Sequence, residues 1–114
     1  MSASTQIAVL LENDVLVSCD ETDAITVEGN FYFPEQNLKH RERFEESGTH
    51  TTCGWKGEAS YYNYKREDGT VLKDIAWFYP KPKSGAEQVA QRVAFYVGKQ
   101  GLKIGEPSVD APKI

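Results

Sequence analysis

One short segment near the middle of the chain, Thr51–Gly57 with the sequence TTCGWKG, concentrates side chains that could do chemistry. Lys56 supplies a point charge that can bind a carboxylate or a phosphate, and the threonine hydroxyls and loop amides can donate hydrogen bonds. Gly54 and Gly57 permit backbone conformations that other residues avoid, so a tight turn can present these side chains. The ligand-binding residues predicted in this loop are Thr51, Thr52, Trp55 and Lys56. The alternative for Lys56 is an ordinary solvated surface lysine.

Cys53, in the same segment, is a candidate catalytic nucleophile. A reactive thiol needs a lowered pKa, which a nearby cation or a helix N-terminus can provide. His50 and Lys56 each lie three residues from Cys53. Residues three apart on a strand point to opposite faces, which disfavours a direct contact between Cys53 and His50. The alternative is a small buried hydrophobic side chain, the usual state of a free cysteine.

Aromatic residues form the second concentration of candidate site residues, and most of them fall in four clusters. The clusters are Phe31-Tyr32-Phe33, Tyr61-Tyr62 with Tyr64, Trp77-Phe78-Tyr79 and Phe95-Tyr96. Neighbours on a strand point to opposite faces, so Trp77 and Tyr79 share one face. The rings form either a core face with a packed aromatic surface behind it, or a concave pocket with polar tips. The pocket residues predicted to bind a ligand are Asn30, Tyr32, Tyr62, Trp77 and Tyr79; for Asn30, a left-handed turn is the alternative role.

The charge balance argues against two classes of partner. The chain has 13 basic and 17 acidic residues and a net charge of −4. Binding to nucleic acid or to an anionic membrane needs a net basic face instead. No segment approaches the roughly 20 apolar residues of a membrane helix, and the apolar run Ile7–Leu11 is too short for a secretory signal. We therefore expect a cytoplasmic protein that binds neither nucleic acid nor membrane.

The sequence predicts neither a bound metal nor an organic cofactor. The potential zinc ligands are Cys19, His40, His50 and Cys53, and none of them falls in a C-x-x-C or H-x-x-x-H spacing. The sequence also lacks the phosphate-loop, dinucleotide-binding, nucleophile-elbow and zinc-protease motifs. Most enzyme classes with a sequence signature are therefore disfavoured.

Short runs of β-branched and aromatic residues, separated by polar turns, predict a chain built mainly of strands. The predicted strands are Ile7–Leu11, Val15–Cys19, Ala24–Val27, Phe31–Phe33, Glu58–Lys65, Val71–Tyr79, Val93–Val97 and Leu102–Ile104, with the first turn at Glu12–Asp14. The polar stretch Glu35–Ser47 predicts a short helix or a turn-rich crossover. Ser84–Arg92 predicts a short helix, with Ser84 as its cap and Glu87 completing a capping box.

Four blocks, in this order, resemble a bacterial and fungal family of domains of unknown function that is sometimes labelled nucleotidyltransferase-like. The blocks are VEGNFYFP (Val27–Pro34), TTCGWKGEASYY (Thr51–Tyr62), DIAWFYPKP (Asp74–Pro82) and RVAFY (Arg92–Tyr96). The family pattern has Cys-Pro, an aromatic residue, then Lys-Gly. This chain has Gly54 in place of the proline, which loosens the turn. The resemblance covers nearly the whole chain, from Ile7 to Ile104.

The resemblance implies a β-tent-like fold, in which two antiparallel sheets are pinched together. Zinc-binding proteins of that architecture use paired cysteines, which this chain lacks. Nucleotidyl transfer would need paired acidic metal ligands after a Gly-Ser turn, and this chain has none, so the resemblance implies a fold and not a reaction. We expect one mainly β domain with one or two short helices over residues 1–105, and a flexible tail over residues 106–114.

These patterns together predict a domain that binds a small anionic or aromatic molecule in a cleft at the Thr51–Gly57 loop. Two alternatives stay open. One is a thiol-dependent enzyme that uses Cys53. The other is a scaffold whose aromatic strands meet a protein partner or a second copy in a homo-oligomer.

Overall fold

Nine β-strands in two antiparallel sheets form the structure, a computed structural model that describes residues 5–12 and 14–105. The strands are β1 (Gln6–Leu11), β2 (Asp14–Asp20), β3 (Ile25–Val27), β4 (Asn30–Pro34), β5 (Phe44–Cys53), β6 (Gly57–Lys65), β7 (Val71–Phe78), β8 (Arg92–Phe95) and β9 (Leu102–Gly105). Helical structure in this part of the chain is limited to single 3-10 turns. The predicted mainly β fold of two antiparallel sheets is confirmed.

The two sheets share one apolar core. The smaller sheet has the strand order β2-β1-β9, and the larger has the order β3-β4-β8-β7-β6-β5. Val9 and Val17 come from the smaller sheet, and Phe33, Tyr64 and Ile75 come from the larger one, all nearly inaccessible to solvent. We call the face of the larger sheet that packs on this core its inner face. The alternation of side chains along each strand sends the intervening residues to the opposite, outer face.

The outer face carries a second apolar cluster. Its members are Val27, Tyr32, Ala59, Tyr61, Trp77, Tyr79, Val89 and Ala94. Strand register aligns them, because Tyr61 lies opposite Trp77, and Ala94 lies opposite both Trp77 and Tyr32 on its two neighbouring strands. Val89, from the segment that follows β7, packs on this face. Aromatic residues therefore occupy both faces of one sheet, with different parts of the chain covering each.

The segment Glu35–Ser47 contains two 3-10 turns, at Glu35–Asn37 and Arg41–Arg43, followed by the start of β5. The sequence did not predict this strand. Along β5 only Phe44 is buried, because the strand is the last in its sheet and most of its side chains meet solvent. The stretch lacks the alternation of apolar and polar residues that would predict a strand.

The helix predicted over Ser84–Arg92 is a single 3-10 turn at Glu87–Val89. Glu87 accepts a hydrogen bond from the backbone N–H of Gly85, not from that of Ser84. Gln91 has a left-handed backbone, and β8 begins immediately after it. The backbone therefore turns back into the sheet before a helix can form, and only Val89 of the turn is buried.

Two predictions fall on residues that the structure does not describe. The predicted first turn includes Asn13, and the predicted tail covers residues 106–114; both lie outside the described residues. In the described ranges, none of the helical segments has the length and apolar character that a membrane crossing requires.

Candidate functional site

The β5–β6 hairpin builds the loop that the sequence singled out. Cys53 lies opposite Gly57 where the two strands meet, and Gly54–Lys56 form the turn. The Cys53 thiol accepts hydrogen bonds from the backbone N–H groups of Trp55 and Lys56. Gly57 has a positive φ of 117°, and a Cβ at this position would lie 3.2 Å from the Lys81 carbonyl oxygen. Gly57 therefore lies close against the segment that follows β7, whereas Gly54 in the turn itself has open space around it.

Lys56 is not the solvated lysine of the alternative reading, because only 3% of the residue is exposed. Its ammonium group forms an ion pair with the Glu28 carboxylate and lies 4.9 Å from the Trp55 ring centroid and 5.7 Å from that of Tyr79. Trp55 donates a second hydrogen bond to the same carboxylate, from Nε1 at 3.1 Å. Burial opposes the charged form, but hydrogen bonds to Glu28 and Cys53 outweigh it and raise the pKa of Lys56. The result is a buried cation that is already neutralised.

Next to this ion pair, a cleft of about 260 Å³ opens on the outer face. It is lined by Glu28, Asn30, Tyr32, Lys56, Tyr61, Trp77, Tyr79 and Tyr96. The Tyr96 ring, which follows the last residue of β8 and is half buried, forms one wall of the cleft. Its centroid lies 4.5 Å from that of Trp77 and 6.3 Å from that of Tyr61, to which it is nearly parallel. The rings thus give the cleft a rigid aromatic wall.

Hydroxyl groups connect the rings of the cleft. Trp77 Nε1 donates to the Tyr32 hydroxyl at 3.2 Å, and Tyr32 also hydrogen-bonds Tyr79. The Tyr61 hydroxyl lies 3.5 Å from that of Tyr96. Burial, together with the neighbouring Tyr32, raises the pKa of Tyr79; burial and Tyr61 raise the pKa of Tyr96 to about 12. Both phenols therefore stay protonated at neutral pH and can donate hydrogen bonds.

The structure brings together most, but not all, of the residues predicted to bind a ligand. The predicted residues that line the cleft are Asn30, Tyr32, Lys56, Trp77 and Tyr79. Trp55 reaches it through its hydrogen bond to Glu28, and Thr51 lies behind it, with Oγ1 2.9 Å from the Tyr61 hydroxyl. Thr52 lies opposite Glu58 and points to the other side of the strand.

Tyr62, also predicted to bind a ligand, does not line the cleft. It belongs to the inner face, opposite Ala76, where its hydroxyl donates to Glu35 and accepts from Arg41, each at 3.0 Å. Its neighbour Tyr61 takes the place in the cleft. The sequence analysis assigned Tyr62 to the cleft, whereas the alternation along β6 directs Tyr62 to the inner face and Tyr61 to the outer one.

Sequence reasoning missed three residues of the cleft: Glu28, Tyr61 and Tyr96. Tyr61 carries a signal in hindsight, because antiparallel pairing of β6 with β7 places it opposite Trp77. Tyr96 belongs to one of the four aromatic clusters, but no pattern in the sequence assigned it to the cleft, and Glu28 carries no signal. Glu28 stands 28 positions from Lys56 in a turn rich in ordinary polar residues, and no local pattern connects the two.

Cys53 is half buried and packs against the outer cluster, but it does not line the cleft; Lys56, which does, contacts its thiol. Burial opposes ionisation, but the backbone N–H groups of Lys56 and Trp55 and the Lys56 ammonium together lower the pKa of Cys53. His50 does not assist, because its Nδ1 lies 3.2 Å from the Ser60 hydroxyl on the other side of the strand. A nucleophile at Cys53 would depend on Lys56, not on a histidine base.

Within residues 5–12 and 14–105, no three side chains of His, Cys, Asp or Glu converge on a point that could hold a metal ion. A search of the curated proteins finds no match to this chain. The model of one protein family, NTP_transf_9, described as a domain of unknown function (DUF427), matches residues 2–105. The match covers the fold, the hairpin turn and every residue of the cleft, and the chain therefore belongs to the DUF427 family.

Proposed function

We propose that this domain binds a small uncharged ring molecule, one that both donates and accepts hydrogen bonds, in the outer-face cleft. The observation that carries the proposal is the ring wall of Tyr61, Trp77 and Tyr96 beside phenol hydroxyls and the Glu28–Lys56 pair. Aromatic walls with a few fixed polar groups are the usual composition of small-molecule sites.

The pairing of Lys56 favours an uncharged ligand over the anionic one that the sequence left open. Its ammonium group is enclosed by a carboxylate, a thiol and two rings. An anion at this position would have to displace Glu28, whose side chain is half exposed at the rim and would repel it. A ligand hydroxyl or amide N–H can instead donate to that carboxylate, and a ligand oxygen can accept from the protonated phenols.

The size of the cleft limits the ligand to one ring or a small fused ring system. Its volume of about 260 Å³ lies just below the ~300–1,000 Å³ typical of sites for drug-sized ligands. The ring would lie along the wall formed by Trp77 and Tyr96. The polar substituents would then face Glu28 and the hydroxyls.

The test is a titration of the full-length protein with benzamide and with benzoate, two ligands of the same shape that differ in charge, followed by ¹H–¹⁵N correlation spectra. We expect benzamide to shift the Trp77 indole N–H and the Tyr96 amide, and to bind roughly tenfold more tightly than benzoate, a difference of about 1.4 kcal/mol. Tighter binding of benzoate would contradict the proposal, as would the absence of shifts at Trp77 and Tyr96 with either compound.

The chain offers a matched pair of variants as a control. Tyr61→Phe and Tyr62→Phe each remove one phenol hydroxyl from adjacent positions of β6, the first in the cleft and the second on the inner face. Benzamide affinity should fall in Tyr61→Phe alone, because only that hydroxyl belongs to the network with Thr51 and Tyr96. An equal loss in both variants would point to a general effect of destabilisation.

A further inference from the structure

We propose that the natural ligand of the cleft carries a short apolar substituent, which enters a second pocket reached through the end of the larger sheet. This inference rests on the proposed function, since it extends the same site. It makes the ligand class amphipathic: a polar ring with an aliphatic or aromatic side group.

The second pocket has a volume of about 250 Å³ and lies on the inner-face side of β4 and β8. It is lined by Gly29, Asn30, Phe31, Phe33, Phe95, Tyr96, Val97 and Ile104. Asn30 is the one amide among these side chains and Tyr96 carries the one hydroxyl, and none of the eight is charged. Its chemistry is thus opposite to that of the cleft, which contains an ion pair and several phenols.

Two residues, Asn30 and Tyr96, line both cavities. Both lie beyond the paired part of β4 and β8, since the pairing of these strands ends at Tyr32 opposite Ala94. On its other side β8 continues its pairing with β7, because the backbone N–H of Tyr96 donates to the Ile75 carbonyl at 2.9 Å. The proposed substituent passes from the cleft to the pocket between these two side chains, past the paired part of β4 and β8.

The exposure of the pocket wall shows why an apolar group would occupy it. Val97 is 43% exposed and Ile104 is 36% exposed, and in the described part of the chain only Trp55 and Val71 are other large hydrophobic residues with such exposure. Two of the four thus meet at one small pocket whose floor, Phe33 and Phe95, is already buried. Covering this wall removes apolar surface from water, and each methylene group buried there should tighten binding about fourfold.

The experiment compares benzamide, 4-ethylbenzamide and 4-butylbenzamide with the full-length protein, by the same titration. We expect affinity to rise with chain length, reaching at least about tenfold for the butyl compound over benzamide. The butyl compound should also shift the amides of Val97 and Ile104, which benzamide alone should leave in place.

Two exposed residues supply the variant and its control. Ile104→Glu places a charge in the pocket wall, and Val71→Glu places one at a similarly exposed apolar site that lines neither cavity. The gain from the butyl group should disappear in Ile104→Glu and persist in Val71→Glu, while benzamide itself binds both variants equally well. Because both positions are exposed, both variants should fold.

Failure of this inference is distinguishable from failure of the proposed function. If benzamide binds at Trp77 and Tyr96 but the butyl group adds nothing, the cleft stands and the second pocket is not part of the site. If the gain survives in Ile104→Glu, the butyl group binds elsewhere and the inference is overturned. If benzamide does not bind, the proposed function fails first, and the extension of the site falls with it.

Discussion

The inner and outer faces of the larger sheet carry similar aromatic residues in different surroundings. On the inner face, Tyr62 and Tyr64 pack with Phe44 against the second sheet. On the outer face, Tyr61 and Trp77 pack in a second cluster with Val89 and the half-buried Tyr96, and a cleft lies beside them. The same residue types thus build a closed core on one side and line a cleft on the other, where most of the ring surface is also buried.

Truncation of an aromatic ring should give the largest difference in stability loss between the two faces. Phe33→Ala removes a ring that is 1% exposed between the sheets and should lower the free energy of unfolding by ~3–5 kcal/mol. Tyr96→Ala removes a half-buried ring and should cost less than about 2 kcal/mol. Urea denaturation at constant m-value measures both losses. Equal losses would mean that the outer face is packed as firmly as the inner one.

Removal of the Glu28 carboxylate should lower the stability of the protein by an intermediate amount that depends on pH. The loss arises on the outer face alone, where the ion pair lies. Hydrogen bonds from Lys56 and Trp55 lower the pKa of Glu28 below its ordinary value of 4.5. A carboxylate with a lowered folded-state pKa stabilises the fold above its unfolded-state pKa, and this contribution is lost as the pH falls through the lower, folded-state value. Glu28→Gln should therefore have a lower Tm than the wild type at pH 7. When the pH falls below ~4.5, the Tm of the variant should decrease less than that of the wild type.

The double variant Glu28→Gln/Lys56→Met sharpens this prediction. Glu28→Gln leaves the buried ammonium without a negative partner, whereas Met at position 56 fills a similar volume without a charge. The double variant should therefore regain part of the Tm that Glu28→Gln loses. If Tm falls further instead, the ammonium group contributes through Cys53 and the two rings more than through Glu28.

The two cysteines should give the smallest difference, because one lies in the core between the sheets and the other lies by the outer cluster. Cys19 lies in the core between the sheets, and burial and the nearby Asp23 raise its pKa. Cys53 lies by the outer cluster with a lowered pKa. Iodoacetamide at pH 7 should therefore label Cys53 at least about tenfold faster than Cys19, and faster than free cysteine.

Mass spectrometry of timed samples measures both rates, and Lys56→Met should slow the reaction of Cys53 by removing its cation. A rate for Cys53 no higher than that of free cysteine would exclude an activated thiol.

The strands with alternating or continuous apolar runs were readable from sequence, and most of them occur to within a few residues at their ends. Strand β5 was not predicted, because an edge strand with both faces near solvent has no hydrophobic pattern. The helix over Ser84–Arg92 failed for a different reason. Its capping signal is local, whereas the chain there is held by packing of Val89 and by its return to the sheet at β8.

Three features were predictable from the sequence: a tight turn that carries Cys53, Trp55 and Lys56, the face shared by Trp77 and Tyr79, and the mainly β fold. These features depend on neighbours along the chain, through turn chemistry and the two-residue period of a strand. Only the tertiary structure decided that Glu28 pairs with Lys56, that Tyr61 and not Tyr62 faces the cleft, and that Tyr96 completes it. A strand's alternation fixes which side chains share a face but not which face is covered, and that depends on where a second sheet packs.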